Sequence, residues 1–291
     1  MRSKLMLGGN IFGHFCDEKS SRRIVDLASE RGLKAVDTAN VYSDGLSEEF
    51  IGRALGSRRN DWFVATKVGL RSHANPAGIG TRKNILDSVQ GSLKRLRTDY
   101  IDLYQIHHFD PETPIEETLD CFRELKEQGV IRQFGVSNYS GEQLERAMSA
   151  SDGLISTHQV PLNICVGEKQ AIGKSQCKIL AYSTLYRGLL SEKYLGDDLP
   201  LASRASISES VRRDMTQEYL KTLSHMARIC LENDLTIGAV ALHWVLNKNY
   251  VNWAIVGCRS TNQLSEICDY SALPIQKRVL LECERLWHPQ S

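Results

Sequence analysis

Short apolar runs alternate with longer amphipathic stretches along most of this chain of 291 residues. Each short run has the length and apolar composition of a buried strand. Between the runs, apolar residues recur at helical spacing, as in Ile115, Leu119 and Phe122. The pattern therefore predicts strands and helices in regular alternation. The predicted strands cover residues 4–8, 34–38, 62–67, 101–107, 133–138, 154–159, 178–183 and 252–257.

The helix that contains Ile115 has its own start and stop signals. Thr113 is predicted to cap its N-terminus, with Pro114 at the first helical position and Glu116 completing a capping box. Gly129 stands just past the predicted end, where glycine is favoured.

The order of the elements predicts the fold class. Alternating strands and helices indicate a parallel sheet with right-handed crossovers. Eight repeats predict a (β/α)8 TIM barrel forming a single domain over residues 1–291, and a doubly wound sheet is the alternative. Two long segments, 69–80 and 186–214, follow the third and seventh predicted strands. Both therefore lie on the face where barrel enzymes carry their sites.

Composition and charge exclude several classes of protein. The 36 basic and 35 acidic side chains argue against binding of nucleic acid or a membrane surface by bulk charge. The eight cysteines contain no C-x-x-C pair, which favours free thiols in a reducing compartment over disulfides or a zinc site. No apolar run approaches the ~20 residues of a membrane span. We expect a cytoplasmic protein with a small-molecule ligand.

Polar residues at the ends of predicted strands suggest a proton-transfer site. Asp37, Lys67 and His107 each close a strand, and Tyr42 follows Asp37 within reach of the same rim. A tyrosine with a pKa of about 10 handles protons poorly at neutral pH. A nearby ammonium would lower that pKa, a carboxylate would keep the lysine charged, and a histidine could polarise a carbonyl or relay a proton.

Seven segments resemble motifs of the aldo-keto reductase superfamily and occur in its order. The closest branch includes bacterial sugar and aldehyde reductases and the potassium-channel β subunits. The resemblance implies a (β/α)8 barrel, hydride transfer from a nicotinamide cofactor, and a catalytic tetrad of Asp37, Tyr42, Lys67 and His107. The segments are VDTANVY (36–42), ATKVG (65–69), DYIDLYQIH (99–107), GVSN (135–138), QVPLN (159–163), AYSTLYRGLL (181–190) and GCRSTNQLSE (257–266).

The same resemblance implies which residues bind the cofactor. The side chains of Ser137, Asn138 and Gln159 suit the nicotinamide carboxamide, which both donates and accepts hydrogen bonds. Tyr182 would stack on the nicotinamide. Backbone N–H groups at Ser183, Leu185 and Gly188 would face the pyrophosphate, and Lys193 could add a charge there. Glu192, in place of a glycine, is expected to weaken the electrostatic role of Lys193.

The segment after the last predicted strand bears on the choice of cofactor. It opens a helix, whose N-terminus favours a phosphate, and contains Gly257, Arg259 and Gln263. A charge-assisted pair between Arg259 and a 2′-phosphate favours NADPH over NADH. Ile267 replaces an asparagine that many relatives place on the adenine, which puts that contact in doubt.

The rim loops would form the substrate pocket. Candidates are Asn10, Phe12, His108, Phe109 and Tyr186, a mixture of polar and aromatic groups that suits sugar-like or aromatic carbonyls. The loop HANP (73–76) and segment 186–214 would complete the pocket or close over the cofactor.

The adjacent histidines His107 and His108 are predicted to face opposite ways, because side chains alternate along a strand. His107 would point inward beside Tyr42 and Lys67, and His108 would begin the loop. The same alternation opposes a metal site built from His107, His108 and Asp110.

The sequence therefore predicts an NADPH-dependent carbonyl reductase that needs no metal. One alternative is a sugar or polyol dehydrogenase that works mainly in the oxidative direction. A second alternative is a cofactor-binding regulatory subunit with slow turnover.

Overall fold

Eight parallel strands form a closed barrel in the order of the chain, with β8 paired to β1. The computed structural model describes residues 4–70, 79–167, 177–196, 198–201 and 203–288. The predicted (β/α)8 barrel is confirmed, and every predicted strand is present. The strands are β1 (Leu5–Gly8), β2 (Ala35–Asp37), β3 (Phe63–Val68), β4 (Ile101–Ile106), β5 (Ile131–Ser137), β6 (Ile155–Pro161), β7 (Lys178–Tyr182) and β8 (Val251–Val256).

Helices cover the outside of the barrel. The described residues contain α1 (Glu18–Glu30), α2 (Leu46–Leu55), α3 (Arg82–Leu96), α4 (Ile115–Glu127), α5 (Gly141–Ser151), α6 (Arg204–Ile207), α7 (Glu209–Arg213), α8 (Gln217–Glu232), α9 (Ile237–Leu246), α10 (Thr261–Ala272) and α11 (Lys277–Trp287).

Segment 186–214 has more structure than its sequence indicates. It contains 3-10 turns at Tyr186–Gly188 and Glu192–Tyr194, followed by α6 and α7. Each of these elements is five residues long or shorter, so none can show a helical repeat of apolar positions. The predicted irregular loop is therefore a chain of short turns across the barrel mouth.

Apolar side chains on the two faces of the sheet form separate clusters. One cluster is small and includes Met6, Ala65 and Leu103. The neighbouring residues Leu5 and Leu7 belong to the large cluster beneath the helices. Both faces of the strands are buried, which explains why the strand sequences are continuous apolar runs.

The predicted N-cap of α4 is wrong. The cap residue is Pro114, whose side chain makes no capping hydrogen bond. Thr113 Oγ1 instead donates to Asp110 Oδ2 at 2.6 Å, and Gly80 N donates to the same oxygen at 2.9 Å. The buried carboxylate of Asp110 therefore turns the Thr113 hydroxyl away from the helix. A complete capping box occurs at α5, between Ser140 and Gln143.

All eight cysteines lie in the described part of the chain and are free thiols there. Among the described residues, no single helix is long and apolar enough to cross a membrane. Only α8 and α9 taken together, with a bend of 91° between them, match such a span in length and composition.

Helices α2 and α3 approach closely at Gly52, which gives a test of the packing between them. A Cβ at Gly52 would lie 2.5 Å from the carbonyl oxygen of Arg95. Gly52→Ala should lower the free energy of unfolding by about 1–3 kcal/mol, because backbone must move. Urea denaturation measures this change.

Gly91→Ala is the matched control, because Gly91 is also helical but its Cβ would meet only the flexible end of the Arg95 side chain, at 3.0 Å. Alanine favours helix over glycine by about 1 kcal/mol, so this variant should be as stable as the parent or more so. Equal destabilisation by both variants would contradict the close approach at Gly52.

Candidate active site

The four predicted catalytic residues meet at the carboxyl ends of neighbouring strands. Asp37 ends β2, Lys67 is the penultimate residue of β3, and His107 directly follows β4. Tyr42 begins a 3-10 turn between β2 and α2. Asp37, Tyr42 and His107 line a cavity of about 500 Å³ at the barrel mouth, and Lys67 lies behind them. The parallel order of β2, β3 and β4 therefore brings these residues together.

Lys67 is the centre of the site. Its ammonium is completely buried and lies 2.6 Å from Asp37 Oδ2. It also donates to the Thr38 carbonyl at 2.8 Å and to the Tyr42 hydroxyl at 3.4 Å. Three donors and three acceptors are thus matched, and one acceptor is the phenol that the sequence predicts to carry the proton.

Burial and charge act in opposite directions on this lysine and tyrosine. Burial lowers the pKa of Lys67, but the Asp37 carboxylate and Tyr42 outweigh it, and the pKa is raised overall. Burial raises the pKa of Tyr42, and the Lys67 ammonium lowers it by less, so the pKa of this phenol lies above its ordinary value. The ammonium acts in the predicted direction, but burial has the larger effect.

Two glutamines complete the environment of Asp37. Asp37 Oδ1 accepts a hydrogen bond from Gln159 Nε2 at 2.7 Å and one from Gln105 Nε2 at 3.4 Å. Gln159 was predicted only as a cofactor residue, and Gln105 had no predicted role. Gln105 alternates within β4 with Tyr104 and Ile106, which belong to the large cluster beneath the helices, so alternation inside the strand was the signal that could have placed it on the inner face.

His107 is uncharged in this site. Its pKa falls to about 2 because burial, the Lys67 ammonium and His108 all disfavour the imidazolium. Its ring lies edge-on to the Tyr42 ring, with 5.7 Å between centroids. Nδ1 is buried and has no hydrogen-bond partner among the described residues. A neutral imidazole beside the phenol can therefore hydrogen-bond to a carbonyl without adding a charge.

The prediction that His107 and His108 face opposite ways is wrong. Their rings stack, with centroids 5.3 Å apart and 22° between planes, and both line the cavity. Strand β4 ends at Ile106, so the alternation of a strand does not extend to these two residues. Asp110 nevertheless accepts hydrogen bonds from Gly80, Glu112 and Thr113. No metal-binding group of three acidic, histidine or cysteine side chains occurs among the described residues.

Asn138 links the histidines to β7. Its Nδ2 donates to the His107 carbonyl at 3.0 Å, and its Oδ1 accepts from the Tyr182 hydroxyl at 2.7 Å. Asn138 has a positive φ of 60°, which turns its amide back over the end of β5. Tyr182 and Ser137 line the same part of the cavity. The predicted carboxamide and stacking residues are therefore side by side.

The turns after β7 border the next part of the cavity. Ser183 has a φ of 57°, and its carbonyl accepts from Asn163 Nδ2 at 3.1 Å. Asn163 is buried and was missed, although it lies in one of the recognised motifs. Glu192 has a partner of its own, because its Oε1 accepts from Ile237 N at 2.5 Å, at the start of α9, and its effect on Lys193 stays a prediction. Its carboxylate is thus committed to a helix N-terminus.

Arginines border the far end of the cavity. Arg259 and Arg204 both line it, and both lie near the Phe15 ring, whose centroid is 6.0 Å and 4.8 Å from the two guanidinium carbons. Burial and the charge of Arg259 lower the pKa of Arg204. Arg204 was missed, because it lies in segment 186–214, where the sequence shows no regular pattern. Arg187, nearby, forms an ion pair with Asp214.

Every residue predicted to bind the cofactor lines the cavity. The set comprises Ser137, Asn138, Gln159, Tyr182, Ser183, Leu185, Gly188, Lys193, Gly257, Arg259 and Gln263. Ile267 lines it as well. The cavity is therefore continuous from the tetrad to the first turn of α10.

The predicted substrate residues divide into two groups. Asn10 and His108 line the cavity, whereas Phe12, Phe109 and Tyr186 do not. Phe12 is fully buried in the core, Phe109 packs edge-on against Tyr139, and Tyr186 packs against Tyr219 of α8. The predicted aromatic wall is thus a set of packing contacts, and the described wall beside the tetrad is mainly polar. The HANP loop (73–76) lies outside the described residues.

Fold and site together define a class of protein. A closed barrel carries a buried lysine–carboxylate pair against a tyrosine, at one end of an elongated cavity with arginines at the other end. The phenol can exchange a proton with a ligand at the mouth, and the cavity can hold an extended anionic molecule alongside it. These features are typical of a barrel oxidoreductase.

Comparison with known proteins identifies the family. The aldo/keto reductase family model matches residues 4–288, so the chain belongs to this family. It is 32% identical to aldo-keto reductase YhdN of Bacillus subtilis, over 90% of this chain and 82% of that protein. It is 28% identical to a probable voltage-gated potassium channel subunit beta of Oryza sativa, over 88% of this chain and 83% of that protein.

Two solved structures share the fold. One is aldo-keto reductase AKR11C1 from Bacillus halodurans, in its holo form. The TM-score is 0.81 and the identity 30%, over 98% of this chain and 92% of that one. The other is glycerol dehydrogenase AKR11B4 from Gluconobacter oxydans. The TM-score is 0.82 and the identity 29%, over 99% of this chain and 92% of that one. The chain is therefore an oxidoreductase of a family that acts on carbonyl groups with nicotinamide cofactors.

The buried neutral His107 predicts a pH dependence of stability. Its pKa is about 2 in the folded protein and about 6.5 in an unfolded chain. As pH falls below about 6.5, the unfolded chain gains a proton that folded His107 does not, so stability is lost. Between about pH 6 and pH 4, the free energy of unfolding should therefore change less steeply with pH in His107→Asn than in wild type. The expected difference in slope is about 1.4 kcal/mol per pH unit.

Urea denaturation of wild type and variant across this pH range measures the difference in slope. The same substitution at the exposed His225 is the control for loss of an imidazole. Parallel curves for wild type and His107→Asn would contradict the buried neutral state.

Proposed function

We propose that this protein reduces an aldehyde or ketone to the alcohol with NADPH, and that Tyr42 supplies the proton. The observation that carries the proposal is the placement of the Lys67 ammonium between Asp37 Oδ2, at 2.6 Å, and the Tyr42 hydroxyl, at 3.4 Å. A buried cation held against a phenol is the arrangement that proton transfer from tyrosine requires.

The described residues fit a nicotinamide cofactor. Hydroxyl and amide groups of Ser137 and Asn138, next to the Tyr182 ring, suit a carboxamide and an aromatic ring. Gly188, with a φ of 85°, leaves open space where a Cβ would be 4.0 Å from Lys193 Nζ. A phosphate could therefore approach that turn and the lysine together. When bound, NADPH would supply the hydride.

The tetrad would handle the proton and orient the substrate. Tyr42 holds its proton on the hydroxyl at neutral pH, because burial keeps its pKa above the ordinary value. That proton is available to a carbonyl oxygen as negative charge develops on it. The Lys67 ammonium then stabilises the phenolate, and Asp37 keeps the ammonium in position. Neutral His107 would hydrogen-bond the same carbonyl oxygen and orient it.

The cluster of arginines supports the choice of NADPH. Arg259 precedes α10, and Arg204 lies against the same Phe15 ring, so two guanidinium groups border one part of the cavity. A cation just before a helix N-terminus, with a second cation lining the same cavity, suits the doubly charged 2′-phosphate that distinguishes NADPH from NADH.

Two alternatives have specific support. The similar structure of a glycerol dehydrogenase favours the oxidative direction, which would use the same tetrad on an alcohol. Initial rates of purified protein in both directions separate the two. The likeness to a probable channel β subunit favours a cofactor-binding regulatory role. Protein that binds nucleotide but oxidises none of it across a broad carbonyl panel would support that role.

Tyr42→Phe tests the proposed proton donor. The variant should lose about 10²–10⁴-fold in kcat, because no group replaces the phenolic proton, while NADPH binding is retained. Turnover is measured by absorbance of the nicotinamide, and binding by fluorescence. Tyr100→Phe is the control, since Tyr100 precedes β4 at the opposite end of the barrel and donates to Asn60. Retained turnover in Tyr42→Phe would refute the mechanism.

Arg259→Gln tests the choice of cofactor. Loss of a charge-assisted hydrogen bond should raise the Kd for NADPH about tenfold to a hundredfold, with little change for NADH. NADH, which lacks the 2′-phosphate, is therefore the control ligand. Arg228→Gln, on the exposed side of α8, is the control variant for loss of an arginine. Equal losses for both cofactors would exclude recognition of the 2′-phosphate by Arg259.

A further inference from the structure

The first turn of α2 reaches the site from behind. It directly follows the turn that carries Tyr42, and its residues Ser47 and Glu48 are completely buried although both are polar. Neither residue lines the cavity. Burial of polar groups costs free energy unless they are hydrogen-bonded, so their partners show what they hold in place.

Ser47 joins the ends of β1 and β2. Its hydroxyl donates to the Gly9 carbonyl at 2.8 Å and lies 2.7 Å from Thr38 Oγ1. Because Ser47 has a single hydroxyl proton, Thr38 must be the donor in the second bond. Gly9 N donates to the Asp37 carbonyl at 2.8 Å. These three hydrogen bonds, between Thr38 and Ser47, Ser47 and Gly9, and Gly9 and Asp37, form what we call the Ser47 ring.

The Ser47 ring acts on Lys67 through the backbone of Thr38: it holds the Asp37–Thr38 peptide and the Thr38 side chain, and so the Cα from which the Thr38 carbonyl extends toward Lys67. The Thr38 carbonyl accepts one of the three ammonium protons, at 2.8 Å, and the others point to Asp37 and Tyr42. Fixing this carbonyl fixes the rotation of the ammonium group. The rotation in turn determines how well the third proton meets the Tyr42 hydroxyl.

Glu48 attaches the same turn of α2 to the strand of Lys67. Its Oε1 accepts from Thr66 Oγ1 at 2.6 Å, and its Oε2 accepts from Arg95 Nε at 2.7 Å. Thr66 immediately precedes Lys67 on β3. The turn is therefore hydrogen-bonded to β3 and to the residue that follows β2, the two strands that provide the ion pair.

The close packing around Ser47 depends on the small residue at position 9. A Cβ on Gly9 would lie 3.0 Å from Ser47 Oγ and 3.0 Å from Ile51 Cδ1. The glycine thus allows the end of β1 to approach α2 closely enough for the Ser47 hydroxyl to reach its carbonyl.

We propose that Ser47 is a positioning residue, whose hydroxyl holds the Thr38 side chain and thereby orients the Thr38 carbonyl, which directs the Lys67 ammonium toward Tyr42. The inference rests on the proposed role of Tyr42 and Lys67. It assigns a role in the reaction to a residue that touches neither substrate nor cofactor.

The test measures the pKa of Tyr42 in variants that break the Ser47 ring. Ser47→Ala and Thr38→Val should each raise the pKa of Tyr42 by about one unit, because a less well-directed ammonium stabilises the phenolate less. The pKa is obtained from ultraviolet titration, as the difference between each protein and its Tyr42→Phe counterpart. Thr38→Ser keeps the hydroxyl and should retain the wild-type value.

Kinetics provide an independent measurement. In both ring-breaking variants kcat should fall about tenfold while the Kd for NADPH is unchanged, because only the proton donor is misaligned. The high-pH limb of the kcat profile should move to higher pH, in step with the Tyr42 titration.

Ser21→Ala is the matched control. Ser21 is also a completely buried helical serine, but its hydroxyl has no hydrogen-bond partner in the described part of the chain. Its removal should leave the pKa of Tyr42 and kcat unchanged. An equal shift in Ser21→Ala would overturn the proposal, because the effect would then follow from the loss of any buried hydroxyl.

The remaining outcomes are also decisive. An unchanged pKa of Tyr42 in folded Ser47→Ala and Thr38→Val would overturn the proposal. If Ser47→Ala fails to fold, Thr38→Val alone carries the test. If the wild-type protein reduces no carbonyl, the proposed function fails, but the titration of Tyr42 still decides whether Ser47 positions Lys67.

Discussion

The buried ion pair between Lys67 and Asp37 is the interaction on which the rest of the site depends. Two charges inside a protein lose their hydration, and the loss is tolerated only where every donor and acceptor is matched. Here the ammonium finds a carboxylate, a carbonyl and a phenol, and the second carboxylate oxygen accepts from Gln159 and Gln105. The glutamines and the Thr38 peptide are therefore requirements of the ion pair, in addition to any contact with ligands.

The closed parallel barrel is what makes this pair possible. Asp37, Lys67 and Gln159 belong to β2, β3 and β6, and their side chains meet because parallel strands end at the same rim. The helices outside contribute too, since α2 reaches Thr38 and Thr66 through Ser47 and Glu48. The site thus rests on regular elements on two sides, whereas its outer wall consists of short turns.

That difference explains how much could be predicted from the sequence. The strands follow from local apolar pattern, and the tetrad follows from the rule that polar residues at strand ends face the mouth. Side chains in the turns are directed by distant partners instead. Tyr186 packs on Tyr219 of α8, and Thr113 is turned away from α4 by Asp110. Such contacts join residues of separate elements, or lie outside any regular repeat, so no periodic pattern indicates them.

The pKa of Tyr42 is a second property that the sequence alone does not predict correctly. Residue types alone predict a lowered value, since an ammonium stands beside the phenol, but burial has the larger effect and raises it. The phenol is therefore protonated at neutral pH, and His107 is neutral for the same reason, since burial disfavours its charged form. In the proposed reduction, this protonated phenol would give its proton to a carbonyl oxygen beside an uncharged imidazole. In the oxidative alternative, the phenol would first have to lose that proton before it could accept one from an alcohol.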